Sequence, residues 1–349
     1  MPDFNLFPAQ DSVLSAQAIA HQLLPLYGLT KPYSCRFFRK GICDTYQIEA
    51  EEGEYYLKVY RMDRRSLVDV SEEVRLLQHL LSQGVSVVRP VVRLDGEYIN
   101  ELAAPEGTRY AILFHAVAGE GERLDQHRCM FGALTARMHL SADSLCPTYS
   151  RQHLNMNTLV DANLVYIERL MCHRPDDFAL IKAIADQAKH RIVSLLPSHR
   201  PEYGICHGDL HGGDVRYDAG GLPTLLDFDS SGYGWRAVEI GVYLCYKWMD
   251  TSPEMEAERQ RRMALFLEGY QSVRRLSANE HAVIQLAPAI RHIFLMGTVL
   301  RYTTVYEGWH WADDGFIDWH MKWFRNWQAV EHCCGLLRRN GGADDSSDC

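Results

Sequence analysis

No run of about 18 apolar residues occurs anywhere in the chain, so no membrane-crossing segment is expected. The first residues, MPDFNLFPAQDSVLSAQ, lack the basic stretch followed by an apolar one that marks a secretory signal. Positive charge is scarce. The 36 lysines and arginines face 45 aspartates and glutamates, giving a net charge of −9. A partner made of nucleic acid, or an anionic membrane surface, calls for a basic face, so neither is expected. CxxC pairs are absent among the ten cysteines, which are scattered along the chain. That scatter fits free thiols in a reducing cytosol rather than a disulfide framework, and a cytoplasmic location is expected. GxxxxGK[ST], GxSxG and HExxH are also missing, which removes the P-loop, the serine-hydrolase elbow and the zincin site.

What is present is an ordinary globular composition, 47% hydrophobic and 23% charged, with length enough for a large core in two lobes. Residues 11–29 predict a short helix stopped by a glycine. Residues 35–61 alternate apolar and polar on both sides of a Glu52-Gly53 turn and predict two strands. A leucine stripe over 66–84 predicts a helix ending at Gly84, and 87–94 and 110–119 read as extended. From about 125 to 200 helical patterns dominate. Strand signals return at 203–210, 215–218 and 224–229, and helices resume from Arg236 to about Leu337. The tail RRNGGADDSSDC reads as disordered. A small strand-rich N-terminal lobe (1–117), a larger mainly helical lobe (118–337) and a tail (338–349) are the predicted organisation.

The densest chemistry lies in HGDLHGGDVRYDAGGLPTLLDFDSSGYG, residues 207–234. Two strands joined by DAGG would bring Asp209, Asp214 and Asp227 to one end of a hairpin. Three carboxylates there suit phosphoryl transfer. One orients and deprotonates an attacking hydroxyl, while two hold magnesium on nucleotide phosphates. Two blander readings compete: a polar turn between strands, and a metal hydrolase built on His207-x-Asp209-x-His211. The hydrolase reading leaves Lys58, Glu73 and Asp227 without a role. His207 reads best as a hydrogen-bonding prop for the loop, and His139 as a packed helix residue.

HGDLHGGD followed by LLDFDSSGYG resembles the aminoglycoside phosphotransferase and choline kinase superfamily, small-molecule relatives of the protein kinases. The later helices look similar to its bacterial branch of stress-response and homoserine-kinase-like members. The resemblance implies an α+β, bilobal, protein-kinase-like fold. It makes Asp209 the catalytic base, puts Asp214 where the family has a magnesium-binding Asn, and makes Asp227 the main metal ligand. Glu239 stands where many relatives have an Asp supporting the catalytic loop. Lys58 in YYLKVYR, with Glu73 in SEEVRLLQHL, resembles the phosphate-binding lysine and its helix partner. Gly41–Ile48 resembles the phosphate-covering turn, without GxGxxG. The segment YAILFHAVAGE resembles the hinge, with adenine expected near Phe114 and Ala116.

The implied reaction moves the γ-phosphate of ATP, or of GTP, to a hydroxyl with Mg2+. The expected acceptor is a small molecule, with a protein serine or threonine, or nucleotide binding without turnover, as alternatives. Trp319, Trp323 and Trp327 fall at four-residue spacing and predict a core stripe. Trp309 and Trp311 lie beside Asp313 and Asp314 in a loop-like stretch, and such a set would suit a cationic acceptor. The oligomeric state is not encoded in any of these signals.

Overall fold

The structure is a computed structural model and describes residues 7–31, 33–62, 64–145, 148–243, 245, 249–307 and 312–333, with only the helical backbone at 302–307 and 330–333. Trp309, Trp311 and the tail 338–349 lie outside the described residues.

The strand-rich part holds β1 (Ser34–Lys40), β2 (Cys43–Ala50), β3 (Gly53–Tyr60), β4 (Ile99–Ala104) and β5 (Gly107–His115), in the order β1-β2-β3-β5-β4. Every adjacent pair runs antiparallel. Where residues 35–61 predicted two strands there are three, because the Gly41-Ile42 turn splits the first of them. The alternation along β3 sorts its side chains by face. Leu57 and Val59 join a core cluster with Ile19, Leu23 and Leu24. Those three residues belong to an N-terminal helical segment that begins with α1 (Ala16–Ala18), capped by Ser15, and runs on through Tyr27 to Gly28. Tyr60, on the other face, packs in the larger cluster with Val70, Val74 and Leu77 of α2 (Leu67–Ser82). Ser66 and Asp69 cap α2 reciprocally, satisfying two of the amides that a helix start leaves open.

The helical part begins with α3 (Asp125–Ala142) and continues through α4 (Ala162–Leu170) and α5 (Pro175–Leu195). Three strands, β6 (His153–Leu154), β7 (Tyr203–Cys206) and β10 (Gly232–Trp235), form a small sheet in the order β6-β10-β7. Between β7 and β10 lies the hairpin of β8 (Val215–Tyr217) and β9 (Pro223–Leu225). Then follow α6 (Arg236–Tyr243), α7 (Pro253–Gln271), α8 (Ala278–Ile284), α9 (Ala287–Glu307) and α10 (Asp314–Cys333). Helices α3 and α7 cross at contact distance: a Cβ on Gly269 would fall 1.7 Å from the carbonyl oxygen of Cys129, and one on Gly132 1.9 Å from that of Phe266. Among the described residues no single helix is long and apolar enough to cross a membrane.

The tryptophan stripe of α10 is only partly core. Trp323 and Trp327 are buried, but Trp319 is 49% exposed. Each four-residue step overshoots a full turn by about 40°, so over two steps the stripe's first residue rotates off the buried face. Trp319 stacks on His292 instead, with ring centroids 5.8 Å apart.

Candidate active site

The β8–β9 hairpin does bring the acids together. Asp218 closes its turn by accepting from the amides of Gly220 and Leu222, at 2.8 and 2.9 Å. At the open end, Leu226 N donates to Asp214 O at 2.8 Å, which pairs the residue before Val215 with the residue before Asp227. Asp227 is the one residue other than glycine with positive φ among the described residues, at 55°. Asp tolerates this left-handed region better than most residues, and such strain clusters at functional sites. Lys58 Nζ hydrogen-bonds Asp227 Oδ1, so β3 and the hairpin meet at an ion pair.

Lys58 stands at the centre of a larger charge group. Its Nζ lies 4.0 Å from Glu73 Oε1 and 3.8 Å from Asp229 Oδ2. Burial pushes the ammonium's pKa down, but Asp227 and Asp229 outweigh it and hold the pKa well above the ordinary lysine value. Asp229 shows the mirror image. Burial pushes its carboxyl up, and Lys58, Arg64 and Arg65 together hold it below the usual carboxylate range. Glu73 is held less well: burial raises its pKa further than Lys58 and Arg151 lower it. A contact of 4.0 Å to Lys58 and one of 3.6 Å to Arg151 Nη1 are too long for full hydrogen bonds. Asp229 and Arg151 were not singled out in the sequence. The second acid of DFD was a signal for the first; Arg151 gives none, since only the fold carries it to Glu73.

Asp209 sits on the loop between β7 and β8. Gly208 has φ +85°, and a Cβ there would lie 2.1 Å from the carbonyl oxygen of Ser230, so only glycine fits. The loop is tied down from beneath. Gly208 N donates to Glu239 Oε1 at 2.5 Å, and His207 Nε2 bonds Leu226 O at 2.6 Å. Glu239 accepts on its other oxygen from His139 Nε2 at 2.5 Å, and His139 Nδ1 meets Tyr270 OH at 2.8 Å. Burial lowers the pKa of His139. Burial also pushes Glu239 up, but its hydrogen bonds from His139 and Gly208 bring it below the ordinary value. A neutral imidazole donating to an ionised carboxylate satisfies both. Glu239 thus braces the loop that carries Asp209.

Asp209 Oδ1 is hydrogen-bonded by Arg291 Nη2 of α9, a residue the sequence reading missed. Its signal was a single charge inside the apolar run APAIRHIFLMG. His211 lies between the acids, with Nε2 3.8 Å from Asp209 Oδ1 and 3.3 Å from Asp214 Oδ2. Asp214 is poorly solvated. Burial, then the charges of Asp227 and Asp209, push its carboxyl up to about 9. A divalent cation would reverse that penalty, and oxygens from Asp209 and Asp214, with a His211 nitrogen, lie within 4.8 Å of one another. The donor set fits a hard divalent metal with carboxylate oxygens.

Four other sequence candidates stand elsewhere. In the hinge segment, the amides of His115 and Ala116 donate to Arg89 O and Glu54 O at 3.0 and 2.9 Å, and Phe114 pairs with Tyr56 across β3 and β5. Asp313 Oδ1 accepts from Phe316 N at 3.0 Å and so caps α10. Asp314, an exposed residue, pairs with His173 at 2.9 Å and with Arg174 at 3.5 Å. The walls beside Asp209 come from other elements. A cleft of about 430 Å³ is lined by Glu122, His211, Tyr243, Arg262, Arg291 and Leu295, among others. It shares Cys245 and Leu295 with a second cavity of about 310 Å³ walled by His292, Phe316, Trp319 and Trp323.

Known proteins resemble this chain in sequence and in fold. The profile of the phosphotransferase enzyme family matches residues 34–276. An uncharacterized protein of Synechocystis is 32% identical over 80% of this chain and 77% of its own length. Amicoumacin kinase of Bacillus subtilis is 26% identical over 78% of this chain and 81% of its own. A homoserine kinase of Neisseria meningitidis serogroup B is 28% identical over 75% and 81%. Among solved structures, a microcompartment-associated aminopropanol kinase superposes with a TM-score of 0.76 at 21% identity, covering 93% of this chain and 99% of that one. An amicoumacin kinase in complex with AMP-PNP, Ca2+ and Ami superposes with a TM-score of 0.72 at 21% identity, covering 94% and 96%. The expected α+β, kinase-like fold is therefore the fold of this protein, and the chain belongs to the phosphotransferase enzyme family.

Proposed function

We propose that the protein transfers the γ-phosphate of ATP to a hydroxyl of a small-molecule acceptor, with Mg2+. The observation that carries this is the convergence of Lys58 and Asp227, from two parts of the chain, on the loop that presents Asp209 and Asp214. Residues 1–117 form the nucleotide-binding lobe and 118–337 the catalytic lobe in this reading.

Lys58 neutralises the α- and β-phosphates and is steered by Glu73 from α2. The adenine lies against residues 114–116. Because the His115 and Ala116 amides are engaged, its hydrogen bonds there would go to backbone carbonyls. Asp227 and Asp214 would hold the magnesium ion, which when bound draws charge from the phosphate oxygens. Asp209 accepts the proton of the acceptor hydroxyl. That oxygen forms its bond to the γ-phosphorus as the bond to the β–γ bridging oxygen breaks. The electron pair leaves with ADP, and the proton remains on Asp209 until solvent removes it. Glu239 fixes the loop so that Asp209 needs no reorganisation at that moment.

The test is Asp209→Asn. It should lower kcat by roughly two orders of magnitude or more while leaving nucleotide affinity near wild type. Near-normal turnover in that variant with a phosphorylatable acceptor would remove Asp209 from the role of base.

A further inference from the structure

We propose that Arg291 is the receptor for an anionic group on the acceptor, so that the molecule phosphorylated is an alcohol bearing a carboxylate or an equivalent anion. This rests on the reading of Asp209 as the base.

Arg291 is a buried residue, 6% exposed, in an apolar stretch of α9. A guanidinium in such a place is costly unless paired, and here Nη2 bonds the oxygen Oδ1 of Asp209. That pairing occupies the acid that has to take the acceptor's proton. The lone pair of Oδ1 that accepts from Nη2 is not open to the acceptor's hydroxyl. In a productive complex Arg291 therefore needs another anion. Its fork carries five N–H donors, and it lines the 430 Å³ cleft beside Asp209. A carboxylate entering that cleft can accept from Arg291 while the hydroxyl of the same molecule reaches Asp209.

The rest of the wall speaks against a cationic acceptor. Glu122 is the carboxylate among the cleft's described lining residues. It is already bonded by Arg262 Nη1 and by Tyr243 OH at 2.6 Å, with Arg128 Nε at 3.4 Å. An ammonium would have to displace two guanidinium groups to reach it. Farther from Asp209 the adjoining cavity is aromatic and uncharged. His292 and His320 bond each other at 2.8 Å, and burial lowers the pKa of both. Its walls suit the apolar body of the same acceptor, with the anionic head toward Arg291.

Calorimetry on the full chain without nucleotide tests this, with 3-phenyllactate as the anionic probe and its neutral amide as the control. Phenyllactate should bind the wild type about tenfold or more tightly than the amide, as expected for a charge-assisted pair. Arg291→Gln should erase that preference, and Arg291→Lys should keep part of it. Asp209→Asn should bind phenyllactate several-fold more tightly, roughly the gain from releasing a competing ion pair. An equal affinity for acid and amide, a preference surviving in Arg291→Gln, or no binding of the acid to either wild type or Asp209→Asn overturns the assignment.

Transfer assays with Mg-ATP separate this from the parent reading. Anion binding that depends on Arg291 without any phosphate transfer would leave the receptor standing and remove the kinase assignment. Transfer that favours amines or neutral alcohols over hydroxy acids would do the reverse.

Discussion

Asp214 and Asp227 sit at the same end of one hairpin, yet their surroundings differ sharply. Asp227 is half-exposed and paired with Lys58, whereas Asp214 is largely buried beside two other acids. With its carboxyl pushed up to about 9, Asp214 is protonated near neutral pH until a cation is bound. Asparagine is close in shape to that neutral acid and keeps an oxygen ligand. Asp214→Asn is therefore expected to lower kcat less than about tenfold and to shift only the Mg2+ concentration needed, whereas Asp227→Ala should abolish turnover. Magnesium titrations of the two variants check this, and equally severe losses would mean that the charge of Asp214 acts in a way not described above. At this scale the sequence was most legible where chemistry is local. Asp209, Asp214 and Asp227 fall within nineteen positions, and Lys58 and Glu73 lie fifteen apart on adjacent elements. Arg291 and Arg151 reach the site from 82 and 78 residues away, measured from Asp209 and Asp229; a lone charge in an apolar run marks Arg291, but no local pattern ties either to the site.

Among the elements, α2, α5 and the β8–β9 hairpin follow from periodicity and turn residues, because each has one apolar face and a marked end. The strand β4, INELAA, did not. Its alanines and acid carry little strand preference, and pairing with β5 creates it. Helices α9 and α10 were readable as helices, but not how they face each other. His292 of α9 stacks on Trp323 of α10 with centroids 3.8 Å apart, and bonds His320.

That packing makes the α9–α10 junction sensitive to acid. Burial pushes His320 from 6.5 down to about 4. Between those values the unfolded chain binds a proton that the folded chain does not, so stability is full above pH 6.5 and falls as pH drops toward 4. The loss from this one group between pH 7 and pH 5 is about 2 kcal/mol. Urea unfolding at both pH values should show His320→Gln losing less stability than wild type by about that amount. An identical pH dependence in the two proteins would place the His320 ring in contact with water.

Taken whole, the molecule divides its work. The five-stranded sheet and α2 present Lys58 and Glu73, the helical part presents Asp209, Asp214 and Asp227, and the two meet where Lys58 touches Asp227. On the function proposed above, neither part alone holds every group of the phosphate site. The general division into a strand-rich and a helical part was legible from composition along the chain, since alternation gives way to helical periodicity near residue 125. The cleft beside Asp209 was not. The expected acids Asp313 and Asp314 serve to cap α10 and to pair at its exposed start, while the cleft beside Asp209 is walled by side chains from α3's approach, α6, α7 and α9. Such a wall is assembled by packing among distant helices and leaves no spacing to read.

The most direct measurement is calorimetric titration of AMP-PNP with and without Mg2+, set beside adenosine, on wild type, Lys58→Ala and Asp227→Ala. Wild type should bind AMP-PNP more tightly with Mg2+ than without. Lys58→Ala should weaken AMP-PNP by about tenfold or more while leaving adenosine nearly unchanged, because only the phosphates feel the ammonium. Asp227→Ala should lose the Mg2+ dependence. Variants that bind AMP-PNP as wild type does, with the same response to Mg2+, would contradict a phosphoryl-transfer site at the junction of Lys58 and Asp227.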